Sequence, residues 1–114
     1  MQHNESDKGF LWDIDDACTD IIKFMENTSF KAFENDKMKR FAVERQLLVI
    51  GEAANHLSLD IRDHYQEIPW KRVIGLRHII AHEYGEILVE RIYKNAIENV
   101  PELKREILKI LSAV

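Results

Sequence analysis

The chain has 114 residues, of which 46% are hydrophobic and 32% charged, and its formal net charge is −4. This balance indicates one globular domain, and it excludes a disordered chain and a general nucleic-acid coat protein. Residues 1–9 contain no apolar leader, no apolar run is long enough for a membrane span, and one cysteine excludes an internal disulfide. We therefore expect a cytoplasmic protein that does not associate with a membrane, with a flexible N-terminus (residues 1–8) and a single helical domain (residues 9–114).

The first predicted helix carries apolar residues at intervals of three and four, which place them on one face. It is expected to end near residues 27–29, where Asn, Thr and Ser follow one another. Its core face consists of Leu11, Ile14, Cys18, Ile21, Ile22 and Met25.

The second predicted helix begins at Asn35 or Asp36, since either residue can cap it, and runs to about Leu59. Gly51 lies in its middle and costs about 1 kcal/mol relative to alanine. We expect a close approach by another helix at that point as compensation. The predicted apolar stripe consists of Met38, Phe41, Ala42, Leu48, Val49, Ala53 and Leu57.

The third predicted helix follows a connector (residues 60–69) and begins at Pro69, because the first helical position needs no N–H. Gly85 is expected to end it in a left-handed cap. A last helix begins near Leu88, and Pro101 either kinks it or starts a new one. The sum is an all-α, largely antiparallel bundle of four to five helices. The interior of its last part is predicted to contain Ile92, Ala96, Ile97, Leu103, Ile107, Leu108 and Leu111, and the two tryptophans, Trp12 and Trp70, are predicted in the core or at a dimer contact.

The segment spanning residues 69–85 concentrates the groups that phosphodiester cleavage needs. An arginine can stabilise the charge of the transition state, and a histidine can transfer protons near neutral pH. A tyrosine can stack on a base or hold the substrate. Arg77, His82 and Tyr84 fit these three roles, and Lys71, Arg72 and His78 are the candidate RNA contacts.

The spacing of Arg77 and His82 conflicts with a site on one unbroken helix, where they would lie ~140° apart. Either the helix ends before His82, or a second chain completes the site. Arg77 also borders an apolar stripe, so it could pair with an acid from another helix, such as Glu52. Glu52 could also pair with Arg45 or line a cleft, and pairing is the favoured use.

A metal site is the alternative use of the two histidines. His78, His82 and Glu86 are spaced by four residues, which would form a row on one helix face. Gly85 is expected to break that row, and His82-Glu83-x-x-Glu86 lacks the second histidine of a zinc-protease motif. We therefore predict no metal site and no cofactor.

Four segments of the chain resemble one protein family. Arg77-x4-His82-x-Tyr84 is similar to the signature of the HEPN superfamily, in the extended form of the HepT-like toxins of bacteria and archaea. The resemblance covers most of residues 9–112, although the family commonly has Asn where this chain has His78. The other three segments that carry it are Ile-Gly-Glu-Ala-Ala (50–54), Ile-Pro-Trp (68–70) and Val-Pro-Glu-Leu (100–103).

The resemblance implies an all-α homodimer whose two motifs face a shared cleft. It implies a metal-independent endoribonuclease in which Arg77 and His82 are catalytic. It further implies a toxin–antitoxin pair, in which an MntA-like nucleotidyltransferase antitoxin transfers AMP to Tyr84. The alternative is a non-catalytic helical module that binds this nucleotidyltransferase. The net charge slightly favours the module, whereas the cationic run favours the ribonuclease.

Overall fold

The computed structural model describes residues 5–114 of the chain. Every regular element in this range is helical, so the predicted all-α bundle is confirmed. None of these helices is both long and apolar enough to cross a membrane. In chain order the elements are α1 (Glu5–Phe24), α2 (Phe30–Glu34), α3 (Lys37–His56), α4 (Leu59–His64), α5 (Trp70–Ile74), α6 (Leu76–His82), α7 (Gly85–Lys94), a π-helical segment (Asn95–Asn99) and α8 (Val100–Ala113).

The N-terminal boundary of the domain differs from the prediction. Residues 1–4 of the expected flexible segment lie outside the described residues, but residues 5–8 form the first turn of α1. Asp7 is only 2% exposed, and its carboxylate accepts hydrogen bonds from the backbone N–H (2.9 Å) and the hydroxyl (2.7 Å) of Ser58. Ser58 in turn caps α4 by accepting from the Ile61 N–H. The start of α1 is therefore part of the domain, because it holds this cap in place.

The helices α1 and α3 run antiparallel. The beginning of α1 meets the chain just beyond the end of α3, where Asp7 binds Ser58. At the opposite end, Lys39 near the start of α3 donates from Nζ to Thr28 Oγ1, just beyond the end of α1 (2.8 Å). Polar contacts thus fix the register of the pair at both ends.

The helices α1 and α8 are joined by a polar contact within the otherwise apolar interface. Lys104 Nζ lies 2.5 Å from Asp15 Oδ1 and 2.7 Å from Thr19 Oγ1. Next to this contact, burial and the Asp15 carboxylate raise the pKa of the Cys18 thiol to about 12, and Lys104 offsets part of the rise. Cys18 is therefore a protonated core residue at neutral pH.

The predicted core face of α1 is confirmed, with Ile22 only half-buried, but the predicted stripe of α3 is partly wrong. Met38 and Phe41 are 84% and 55% exposed. Both the predicted and the observed faces of α3 carry apolar residues at intervals of three and four, so periodicity alone could not choose between them. The buried residues of α3 are Val43, Leu47, Ile50, Gly51, Ala53 and Ala54.

The predicted third helix is divided at Gly75 into α5 and α6. Pro69 precedes α5 as its cap residue, and Trp70 is buried, with its indole N–H donating to the Tyr65 carbonyl (3.0 Å). Trp12 is 51% exposed, so its predicted alternative place in the core is wrong. The short helix α2 was not predicted, and α4 supplies the one short turn expected in the connector.

Of the two predicted alternatives for Pro101, the start of a new helix is confirmed. The chain passes from α7 through the π-helical segment directly into α8, and Pro101 lies in the first turn of α8. Proline lacks an N–H and crowds the carbonyl four residues before it, and the wider π turn accommodates both effects. Ile97 and Leu108, predicted to point inward, are each 41% exposed.

Candidate active site

The predicted close approach at Gly51 is confirmed, and the approaching residue is Arg77. A Cβ atom built on Gly51 would lie 2.9 Å from Arg77 Cγ and 3.4 Å from both the Arg77 backbone nitrogen and the Val73 carbonyl oxygen. Real Cβ atoms are essentially never found as close as the first of these distances. The missing side chain of Gly51 is thus what lets α6 and the base of the Arg77 side chain lie against α3.

The neighbouring residue on α3 binds the other end of the same side chain. Arg77 Nε lies 2.5 Å from Glu52 Oε1, which is the pairing that the sequence left open as one of three alternatives. The two side chains are 39% and 47% exposed, so the pair lies at the surface. Neither terminal nitrogen of the guanidinium donates a hydrogen bond to another of the described residues. Arg77 can therefore present two adjacent N–H donors to an anion from solvent.

The helix α6 extends through His82 without a break, and Glu83 caps it in an extended conformation. The expectation that the helix ends before His82 is therefore wrong. The left-handed residue Gly85 lies three positions after His82, so it does not interrupt α6. Arg77 and His82 accordingly point to sides of α6 that are ~140° apart.

The imidazole rings of His78 and His82 lie side by side on α6. Their centroids are 4.3 Å apart and their planes are inclined by 43°. Both histidines are exposed, so a substrate could reach them. Glu86 belongs to α7, and no group of three or more side chains in residues 5–114 is arranged to hold a metal ion.

Tyr84 lies in the two-residue connection between α6 and α7. Its side chain is 83% exposed, and its backbone is extended. Gly85 has the predicted left-handed conformation (φ +72°), but it begins α7 instead of ending the preceding helix. The phenol is therefore accessible to a modifying enzyme.

An ion pair that the sequence did not predict stabilises the connection between α6 and α7. Arg91 Nη1 lies 3.1 Å from Glu83 Oε2 and so links the chain after α6 to the body of α7. The other carboxylate oxygen, Oε1, is buried and has no hydrogen-bond partner among the described residues. The charge pattern of the sequence could not predict this ion pair, because the pair depends on the direction that the chain takes between α6 and α7.

The groove beside Tyr84 is the second feature that the sequence missed. Its lining includes Phe41, Leu88 and Val89, together with Glu44. Partial burial raises the pKa of Glu44, and Arg40 offsets part of the rise. The sequence assigned Phe41 to the core, so it did not predict that this residue forms an apolar surface next to Tyr84.

The predicted RNA contacts Lys71 and Arg72 are exposed, but they line different grooves. Lys71 lies beside Arg62, Asp63 and Trp70. Arg72 lies in a separate groove that is also lined by three glutamates and by two asparagines of the π-helical segment. Neither groove is lined by Arg77. The break at Gly75 ends the helix that would have carried all three cations, so Arg77 lies on a different helix from Lys71 and Arg72.

Comparisons with known proteins identify the family of this chain. The family model described as "Ribonuclease HepT-like" matches residues 14–110. "Putative RNase MJ1380" of Methanocaldococcus jannaschii is 39% identical, over 88% of this chain and 92% of the relative. "Probable ribonuclease HepT" of Thermococcus cleftensis is 34% identical, over 92% of this chain and 96% of the relative. No solved structure matches the chain.

This helical bundle with an Arg-x4-His-x-Tyr segment is therefore of the ribonuclease class. The chain belongs to the HepT-like ribonuclease family, as its sequence motifs predicted.

Proposed function

We propose that this protein is a metal-independent endoribonuclease that acts as the toxin of a toxin–antitoxin pair in the cytoplasm. Membership of the HepT-like ribonuclease family is the observation that carries the proposal. The geometry of Arg77 supports it, because an arginine that offers two free terminal nitrogens at the surface suits a phosphodiester.

The chemistry follows from the residues available. Without a metal to activate water, the nucleophile is the 2′-hydroxyl that RNA itself supplies. His82 takes the proton of this hydroxyl as the O2′–P bond forms, and Arg77 stabilises the charge that develops on the phosphorus oxygens. The P–O5′ bond then breaks, and a proton is delivered to O5′. The products are a 2′,3′-cyclic phosphate and a 5′-hydroxyl end.

A homodimer completes this site in the proposal. Arg77 and His82 point to different sides of α6, so the arginine of one protomer meets the histidine of its partner across a shared cleft. The exposed apolar side chains of Trp12, Met38 and Phe41 are available for a contact of this kind. Lys71, Arg72 and His78 bind the flanking RNA.

Control by an MntA-like nucleotidyltransferase antitoxin is part of the same proposal. The antitoxin transfers AMP from ATP to the hydroxyl of Tyr84, and pyrophosphate leaves. The bulky anionic adduct then repels RNA phosphate and obstructs Arg77. The exposure of Tyr84 supports this role.

The decisive experiment measures RNA cleavage by the purified protein in EDTA. The wild type is compared with Arg77→Ala and His82→Ala, and with the control variants Arg105→Ala and His64→Ala on exposed sites of α8 and α4. We expect cleavage in EDTA by the wild type and both controls, and none by the two site variants. A cyclic phosphate on the product would support the 2′-hydroxyl mechanism.

The second candidate function is a non-catalytic module that binds the nucleotidyltransferase. It is favoured by the net charge of −4 and by the apolar groove beside Tyr84. An inactive wild type, or equal cleavage by all five proteins, would favour this module over the ribonuclease. Growth inhibition that persists in His82→Ala cells would also contradict the catalytic role of His82.

A further inference from the structure

We propose that Glu52 is a positioning residue of the active site, which acts by holding Arg77 in the orientation that receives a phosphodiester. The inference rests on the proposed ribonuclease function. Two consecutive residues of α3 carry it, since Gly51 and Glu52 contact opposite ends of the same arginine side chain.

The base of the Arg77 side chain is placed by Gly51. Its Cγ atom occupies the space that a Cβ at position 51 would need, with the Arg77 backbone and the Val73 carbonyl close by. This contact restricts the first torsion angles of the arginine, because the aliphatic stem is confined between α3 and the backbone of α6. The stem therefore leaves α6 in a defined direction.

The head of the side chain is placed by Glu52. The carboxylate binds Nε, which is the donor nearest the stem, at 2.5 Å. A guanidinium carries five N–H donors in one plane, and the ion pair with Glu52 holds this group beside α3. It leaves the edge formed by the two Nη atoms free, and this edge can bind two oxygens of one phosphate. We infer that RNA phosphate approaches Arg77 end-on, from the side away from α3.

The exposure of the pair argues against a merely structural role. Ion pairs between side chains that are this accessible to water contribute little to folding stability. Its loss should therefore hardly change the melting temperature. A positioning role instead predicts a loss of turnover, because Arg77 would sample orientations that do not meet the transition state.

The test uses graded changes at position 52. Glu52→Gln keeps the length and one acceptor oxygen but loses the charge, and Glu52→Ala loses the contact. We expect kcat to fall about 10-fold in Glu52→Gln and about 100-fold in Glu52→Ala, with KM changed less than about twofold. The control Lys109→Gln breaks the ion pair of this exposed lysine with Glu106 on α8 and should keep wild-type kcat and KM.

A spectroscopic measurement reports on the positioning without any reaction. The Arg77 Nε–H signal in a ¹H–¹⁵N spectrum, assigned by its loss in Arg77→Lys, should shift in Glu52→Gln and Glu52→Ala but not in Lys109→Gln. Melting curves verify that all variants fold.

The outcomes separate this inference from the function on which it rests. An active wild type with unchanged kcat in folded Glu52→Ala would overturn the positioning role alone, as would an Nε–H signal that does not move. A parallel loss of melting temperature and activity would assign Glu52 a structural role and overturn it too. A wild type that does not cleave RNA would overturn both this inference and the proposed function.

Discussion

Asp7 and Ser58 are 51 positions apart in the chain, yet two hydrogen bonds join the Asp7 carboxylate to the backbone N–H and the hydroxyl of Ser58. The contact attaches the first turn of α1 to the cap of α4. It also explains why a segment that is polar in sequence belongs to the folded domain.

Replacing Asp7 with alanine should destabilise the protein. The change removes the acceptor of a half-buried backbone N–H, and such a loss costs about 1–3 kcal/mol. For a domain of this size, each kcal/mol lowers the melting temperature by about 4–8 °C. Thermal unfolding followed by circular dichroism measures the change. Asp13→Ala, at an exposed position of the same helix, is the matched control and should melt close to the wild type.

Two glycine-to-alanine substitutions test the contact between α3 and α6. Gly9→Ala places a methyl group in open space on α1, and it should stabilise the protein by about 1 kcal/mol through helix propensity. Gly51→Ala gains the same propensity but crowds Arg77, and overpacking of this kind costs about 1–3 kcal/mol. Urea unfolding should therefore rank Gly9→Ala above Gly51→Ala. Equal gains in the two variants would contradict the close approach.

The sequence was sufficient where local periodicity decides the structure. The core face of α1 and the crowding at Gly51 could both be predicted, the first from spacing and the second from a glycine that weakens its own helix. The sequence was insufficient where packing against other helices decides which residues are buried. Met38 and Phe41 follow a helical spacing as regular as that of the true core residues, and only the packing of α3 shows that they face solvent.

The site shows the same division between local and tertiary information. Arg77, His82 and Tyr84 stand out in the sequence as a motif, and the pairing of Arg77 with Glu52 was one of several alternatives. The pair between Glu83 and Arg91 was not predicted, because it depends on the direction of the chain after α6. The interruption at Gly75 places Arg77 on a different helix from Lys71 and Arg72, and a continuous apolar stripe did not indicate it.

The buried thiol of Cys18 should make stability sensitive to alkaline pH. Its folded pKa of about 12 lies above the unfolded value of 9.0, so ionisation favours the unfolded chain. The contribution of this group is complete below pH 9 and is lost as the pH rises from 9 to 12. At pH 10 the loss is about 1.4 kcal/mol.

Urea unfolding of the wild type and Cys18→Ala at pH 8 and pH 10 measures this difference. The cavity left by the substitution costs the same at both pH values, so it cancels in the comparison. The wild type should lose about 1.4 kcal/mol more than the variant between the two conditions. The native thiol should also resist labelling at pH 8, and rapid labelling without unfolding would refute the burial.

Mixing two inactive variants tests whether the catalytic pair comes from two chains. Arg77→Ala and His82→Ala homodimers are each expected to be inactive. After subunit exchange, a mixed dimer holds one site with an intact Arg77 from one chain and an intact His82 from the other. Random exchange should restore about a quarter of the wild-type rate, since half of the dimers then hold one working site of two. No recovery despite verified exchange would place the pair within one chain.

Modification of Tyr84 should require only its hydroxyl. After incubation with the antitoxin and ATP, peptide mass spectrometry should find AMP on Tyr84 of the wild type and none on Tyr84→Phe. The variant should keep its melting temperature, because the side chain is exposed and its hydroxyl bonds to none of the described residues. Tyr93→Phe, which removes a hydroxyl bonded to the Thr28 carbonyl, is the control and should still accept AMP. A nucleotide found on another residue would refute the assignment.

The contact of Gly51 with Arg77 gives a further criterion for deciding whether a distant homologue keeps the activity. Arginine and histidine at the right spacing do not by themselves place a guanidinium, since the space that it fills is provided by another helix. A lineage could keep both motif residues and still lose its chemistry through one bulky replacement at the glycine. Inheritance of the activity should therefore be traced with this upstream position as well as with the motif.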